Sequence, residues 1–197
     1  ESFVRGQAAI RELIKEHTAS ESAAMNAASQ SFSSLSARQD INFEFRFLHH
    51  GEASEGTVLH ALHSDLVIAG SPPSAGLPPE WSAESLLLST GVPFLLLPQH
   101  WTGAAADRIV VAWNASREAR RAITDALPLL VAAHSVTILV VDCEKNSRHG
   151  QEPGADVALY LSRHGAKVVV ERVSSDGNSI AAAILGFAKH NNNDLIV

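Results

Sequence analysis

Hydrophobic and polar positions are most regular between residues 108 and 197. Arg108-Ile109-Val110-Val111-Ala112-Trp113 is a short apolar run rich in β-branched residues, as expected of a strand buried on both faces. Asn114-Ala115-Ser116 follows as a turn with two residue types favoured at helix N-caps. Ala119, Ala122, Ile123, Ala126, Leu127 and Leu130 then recur at helical spacing, with Arg117, Glu118, Arg120, Arg121 and Asp125 on the other face. Pro128 removes one backbone hydrogen bond and predicts a kink in the last turns of that helix. Val136 to Val141 reads as a second buried strand. A polar loop leads to a helix carrying Val157, Ala158 and Leu161, which ends at Arg163, His164 and Gly165. Lys167 to Val173 is a third strand, Ile180, Ala183, Ile184, Phe187 and Ala188 mark a further helix, and Asp194-Leu195-Ile196-Val197 begins a fourth strand. Alternation of this kind predicts a parallel sheet with right-handed crossovers.

The first half repeats the end of that pattern. Ile41 to Leu48 alternates like a strand, Gly51 to Thr57 leads into a helix, and Asp65-Leu66-Val67-Ile68 reads as another strand. Asp65 and Asp194 stand 129 residues apart. Two complete units at that spacing need about 260 residues, against 197 present, so segments are expected to be missing from both copies. The first copy has no counterpart of 108–141, since Phe3–Ile14 and the Ala/Ser-rich tract after it read as helix. Its two absent strands are expected from residues before Glu1 or from a swapped segment of another chain. The second copy lacks a counterpart of Gly70 to Pro98.

Ile109 to Ser116, the helix after it, Val136 to Asp142 and the closing Asp194 to Val197 together resemble a universal stress protein domain, and the whole chain resembles the tandem form of that family. The resemblance implies an α/β fold: two tandem open parallel-sheet domains of Rossmann-like type with strand order 3-2-1-4-5, at 1–102 and 103–197. As written here the first lacks strands 1 and 2, and the second lacks its glycine loop and strand 5. It also implies an adenine nucleotide, ATP or a relative with Mg, where strands 1 and 4 diverge. The residues carried over to that site are Ala112, Trp113, Asn114, Ala115 and Ser116 after the first strand and Val140 near the end of the second. Nucleotide-binding members carry Asp where this chain has Asn114; an amide offers donor and acceptor but no charge. Their phosphate-cradling glycines would follow Val197 in the second copy. In the first copy Gly70 fits, but Pro73 stands at the second glycine, Gly76 comes too late, and proline has no N–H to offer a phosphate, so that copy is expected not to bind.

Pairing through the fifth strands, Phe94 to Leu97 and its counterpart, is expected either within one chain or in a homodimer. The competing reading is a nucleotide-free dimeric interaction or signalling module of the same fold. An adenylating ligase is a weaker third reading, because 113–116 has none of the glycines that its phosphate loop needs.

Composition narrows these choices. The chain is 46% hydrophobic and 18% charged with net charge −6, which suits a globular core and argues against a nucleic-acid surface. No apolar run reaches the ~20 residues of a membrane span, and the sequence shows no leader, so a cytoplasmic protein is expected. The single cysteine, Cys143, lies between Asp142 and Glu144 and excludes an intrachain disulfide; neighbouring carboxylates disfavour its thiolate. Among the ten histidines, His49-His50 and His60/His63 are the densest group, but their spacing points to solvated side chains rather than a metal site. No nucleophile elbow or general-base motif is present, so no catalytic residue is expected and any ATP hydrolysis would be slow.

Overall fold

The computed structural model describes residues 2–46, 48, 53–70, 83–98, 101–103, 105–145 and 150–197. The chain divides into two compact units, Glu1–His63 and Ser64–Val197. Among the described residues no helix is long and apolar enough to cross a membrane.

The first unit is built on α1 (Ser2–Gln39), 38 residues long, followed by α2 (Ala53–Ala61). The helical reading of Phe3–Ile14 and of the Ala/Ser tract therefore holds, as one continuous helix. Asp40, in the left-handed region at φ 52°, stops it, and the Ile41 N–H reaches back to the Ser36 carbonyl. Residues 41–46, expected to be a strand, form none. Their alternation does set a face, but the face meets a helix and not a neighbouring strand. Phe43 and Phe45 both pack on Phe32 of α1, with ring centroids 6.2 and 5.9 Å apart. Period-two alternation specifies which side chains point together; it does not supply the partner that makes an extended segment a strand.

The second unit is α/β with parallel sheets. β1 (Val67–Gly70) pairs in parallel with β2 (Phe94–Leu97), and α3 (Ala83–Thr90) lies between them in sequence. Pro73 and Gly76, on which the first copy was expected not to bind, fall outside the described residues. A second sheet holds β3 (Arg108–Ala112), β4 (Ser135–Val141), β5 (Val168–Val173) and β6 (Leu195–Ile196), all parallel, in the order β5-β4-β3-β6.

Its helices form where the sequence pattern puts them. The predicted kink is a break: α4 (Arg117–Asp125) stops at Ala126 and α5 (Leu127–Ala132) restarts with Pro128 in its first turn, where the missing N–H matters least. α6 (Ala155–Arg163) ends with the Ala166 N–H on Leu161 and the Gly165 N–H on Ser162, and Gly165 takes φ 93°. Those two bonds make a Schellman ending, as Arg163-His164-Gly165 predicts. α7 (Ile180–His190) is capped by Ser179.

Because parallel strands are covered on both faces, their side chains divide between two layers. Ile109, Val111, Val136, Ile138 and Val140 pack with Ile123, Leu130, Val157 and Leu161 from α4, α5 and α6. Val110 and Leu139 meet Ala188, Ile184 and Phe187 of α7 on the other side. Ile180, placed on the same stripe by its spacing, is instead exposed at the start of α7.

Candidate functional site

Chain order and spatial order diverge at one place in the larger sheet. From β3 the chain crosses to β4 and β5 on one side, then returns through α7 to β6 on the other. β3 runs into residues 113–116 and α4, while β6 arrives on its other side; in open α/β sheets a reversal of strand order of this kind marks the place of a ligand crevice. Backbone bonds hold that corner: Val197 donates to Val110 at 2.9 Å, and Ala112 donates to Val197 at 2.7 Å.

The predicted site residues fall on this corner unevenly. Ala112 is the last residue of β3, with its N–H committed to Val197. Trp113 is half-buried, packs on the α4–α6 side of the core and donates its N–H to Leu139 at 2.9 Å. Asn114 is exposed, and its Oδ1 accepts from the Ser116 N–H at 3.0 Å. Ala115 takes φ 57° between them, a conformation a non-glycine residue holds only at an energetic cost of about 1–3 kcal/mol. Ser116 is the N-cap of α4, its Oγ accepting from Ala119 at 3.1 Å. Residues 112–116 thus form one continuous wall at the crevice, and their polar side chains also hold the wall's own shape.

Val140 is set apart. It lies on β4 in register with Arg172 of β5, fully buried, and a Cβ at Gly154 would come within 3.2 Å of its side chain. Only main-chain atoms of Val140 could reach a ligand. Gly154, which caps α6 at φ 85°, is a glycine on both counts: its backbone conformation and the Val170, Val140 and Ile138 methyl groups beneath it.

Charges near the wall are largely engaged. Arg117 meets Glu118 at 2.6 Å and holds that carboxyl below its ordinary value. Arg121 pairs with Asp125 at 2.7 Å, while Arg120 donates to Thr124 and lies over the Tyr160 ring at 4.6 Å. What the wall offers is an amide, a hydroxyl and the positive end of a helix of nine residues, suited to binding a polar or anionic group. These residues fit the nucleoside side of a nucleotide. Among the described residues no three His, Cys, Asp or Glu side chains converge as a metal site. His60 accepts from Arg46 at 3.0 Å, and His49 and His50 lie outside the described residues.

Two carboxylates with structural roles do not stand out in the sequence. Asp142, just past β4 at φ 49°, is nearly buried and accepts from the Ser175 N–H at 2.8 Å, the Ser175 hydroxyl at 2.7 Å and Lys145 Nζ at 2.7 Å. Lys145 first, then the two Ser175 donors, hold its carboxyl far below the ordinary value. The carboxylate thereby ties the end of β4 to the loop after β5. Asp194 accepts from the N–H groups of Asp107 and Arg108, both at 3.0 Å, and anchors the start of β6 to the start of β3. Apart from the local Lys145 contact, these bonds span dozens of residues, so the local signal was an Asp at a strand boundary.

A groove of about 850 Å³ opens elsewhere, between α7 and the exposed face of β5. Neither residues 112–116 nor Val140 lines it. Comparison with family models, curated proteins and solved structures returns no match to this chain.

Proposed function

We propose that residues 103–197 bind ATP or a related adenine nucleotide in the crevice between β3 and β6, as the second domain of a tandem universal stress protein with a regulatory output. The observation that carries this reading is the order β5-β4-β3-β6, which matches four consecutive positions of a 3-2-1-4-5 sheet and makes a switch point at residues 112–116. The parallel pairing of β1 with β2 fits strands 4 and 5 of a fragmentary first domain at 1–102, although both strands fall in the compact unit Ser64–Val197. Asn114 takes the nucleoside through its amide, a side chain that offers both donor and acceptor. Ser116 and the first turn of α4 face the polar end of the ligand, and Val140 contributes main chain only. Magnesium, when present, neutralises phosphate charge.

One observation favours a nucleotide-free interaction module instead: Asn114 and Ser116 both make local bonds that explain their residue types. Mass spectrometry of nucleotides released from the purified protein, with ATP titration calorimetry on the stripped protein, separates the two. Binding that Asn114→Ala weakens by about 1–2 kcal/mol supports the nucleotide site. No released nucleotide and no heat of binding would leave the interaction module as the function.

A further inference from the structure

The connection from β5 to α7 is a tight turn. The Ser175 carbonyl accepts from the Asn178 N–H at 2.9 Å, and the two residues between, Asp176 and Gly177, take φ 50° and 82°. Positive φ at both central positions is the signature of a type I′ turn, and at Asp176 it is a strained one. The turn is anchored at each end. Ser175 donates its N–H and its hydroxyl to Asp142, at 2.8 and 2.7 Å. Ser179 caps α7, its Oγ accepting from the Ala182 N–H at 3.2 Å. Between the anchors Asp176 is exposed. Among the described residues neither its carboxyl nor the Gly177 N–H has a hydrogen-bond partner.

An aspartate carboxyl and the amide nitrogen of the next residue can close a five-membered ring. Closure needs both groups untied, a main chain that can turn, and no Cβ crowding the nitrogen. Of the chain's eight aspartates only Asp176 precedes a glycine, and no asparagine does. Asp142 and Asp194 keep their carboxyls on main-chain N–H groups, and Asp125 pairs with Arg121. Asp156 is fixed within α6. Asp40 shares a left-handed φ of 52°, but the next residue is the β-branched Ile41, whose N–H is bound to the Ser36 carbonyl. Only Asp176 meets every condition.

We propose that Asp176-Gly177 is a site of spontaneous isomerisation to isoaspartate. The Gly177 nitrogen attacks Cγ of the protonated Asp176 carboxyl. The N–Cγ bond forms, the Cγ–OH bond breaks, and water leaves with the amide proton. A second water then opens the cyclic imide at either carbonyl, restoring aspartate or leaving the main chain running through Cγ. Water is the one reactant, and nothing is oxidised or reduced. The isoaspartyl product has an extra main-chain carbon between Ser175 and Ser179, so the two anchors no longer fit together. α7 loosens at its start, and with it the cover that Ile184, Phe187 and Ala188 give to Val110 and Leu139. This site is independent of the β3–β6 crevice.

The test ages the full chain in warm, mildly acidic buffer made with oxygen-18 water and maps it by mass spectrometry after digestion in ordinary water. Trypsin releases residues 173–189 as one peptide. That peptide is expected to split into two chromatographic species of equal mass, both labelled, of which one resists a protease that cuts before aspartate. Gly177→Ala should slow the split about tenfold or more, equivalent to about 1.4 kcal/mol or more on the barrier. Asp176→Glu keeps the charge but would need a six-membered ring, so it should abolish the split even if the alanine variant fails to fold. Aged wild type should melt below fresh protein, whereas aged Asp176→Glu should not. The proposal is overturned if the peptide stays single and unlabelled, if the split persists in Asp176→Glu, or if isoaspartate builds up faster elsewhere in the folded chain. Equal melts of fresh and isomerised wild type would overturn the loosening of α7.

Discussion

Asp65-Leu66-Val67-Ile68 and Asp194-Leu195-Ile196-Val197 are nearly the same four residues, yet they end in unlike surroundings. The second forms β6 against β3, which is itself flanked by β4, and the sheet it joins holds Ile109, Val110, Val136, Ile138 and Val140 at zero exposure. The first forms β1, whose described partner is β2 alone, and there Ile68 is 59% and Leu96 51% exposed. A strand of one composition thus joins a buried or an exposed sheet according to its flanks, and β6 itself stays at the sheet edge with Ile196 41% exposed. Parallel pairing satisfies backbone groups, but burial comes from layers on both faces.

Mutations can break the comparison most sharply in the larger sheet. Ile138→Ala, at the centre of the α4–α6 layer, should cost about 2–5 kcal/mol, whereas Ile68→Ala in β1 should cost under about 1 kcal/mol. Urea melts of the two variants check this, and equal losses would mean that both sheets belong to comparable cores. Gly154→Ala should cost about 2–3 kcal/mol, because it combines a left-handed backbone with a 3.0 Å approach to Val170. A thermal melt indistinguishable from wild type would refute that packing.

Acid probes the same sheet through Asp142. Its carboxyl is held below the ordinary value of 3.8 in the folded chain, so its stabilising contribution is complete above that value. It declines as pH falls below about 4 and the unfolded chain takes up the proton first. The melting temperature of wild type should therefore drop more steeply between pH 5 and pH 2.5 (about the range where carboxyls titrate) than that of Asp142→Asn. Parallel slopes would remove Asp142 from the acid response. Ser116→Ala should cost about 1 kcal/mol through loss of the α4 cap, measured by chemical denaturation. The smallest effect belongs to β2. Leu96→Lys should alter stability by less than about 0.5 kcal/mol while raising solubility, as charge does on an exposed strand. A large loss of stability there would show that β2 is covered in solution.

Local signals made much of this fold legible. Ser116, Pro128 and Gly165 act within one or two turns of their own positions, and each does in the structure what its residue type predicts. The β-branched runs at 109–112 and 136–141 were equally plain, because burial on both faces leaves Thr137 as the one polar side chain in them. Ile41–Leu48 misled because Phe43 and Phe45 alternate against a helix. Within the candidate site, residues 112–116 could be placed together from sequence, since they are contiguous. The enclosure of Val140 beneath Gly154 could not, because it depends on how α6 crosses β4 and β5. The bonds from Asp142 to Ser175 and from Asp194 to Asp107 and Arg108 join positions far apart in sequence, and no periodicity records them.

The Asp194 anchor has a consequence for the time course of folding. Its bond to the Arg108 N–H closes a separation of 86 residues, whereas β3, α4 and β4 are consecutive in the chain. Contacts of long sequence separation carry the larger loop-closure penalty and tend to form late. β6 is therefore expected to dock after the β3–β5 layer has assembled, giving the crevice at residues 112–116 its second wall in that step, which folding and unfolding rates of Asp194→Ala would check. Loss of the anchor should speed unfolding more than it slows folding, so the crevice is the part of the sheet that opens first when the native state begins to come apart.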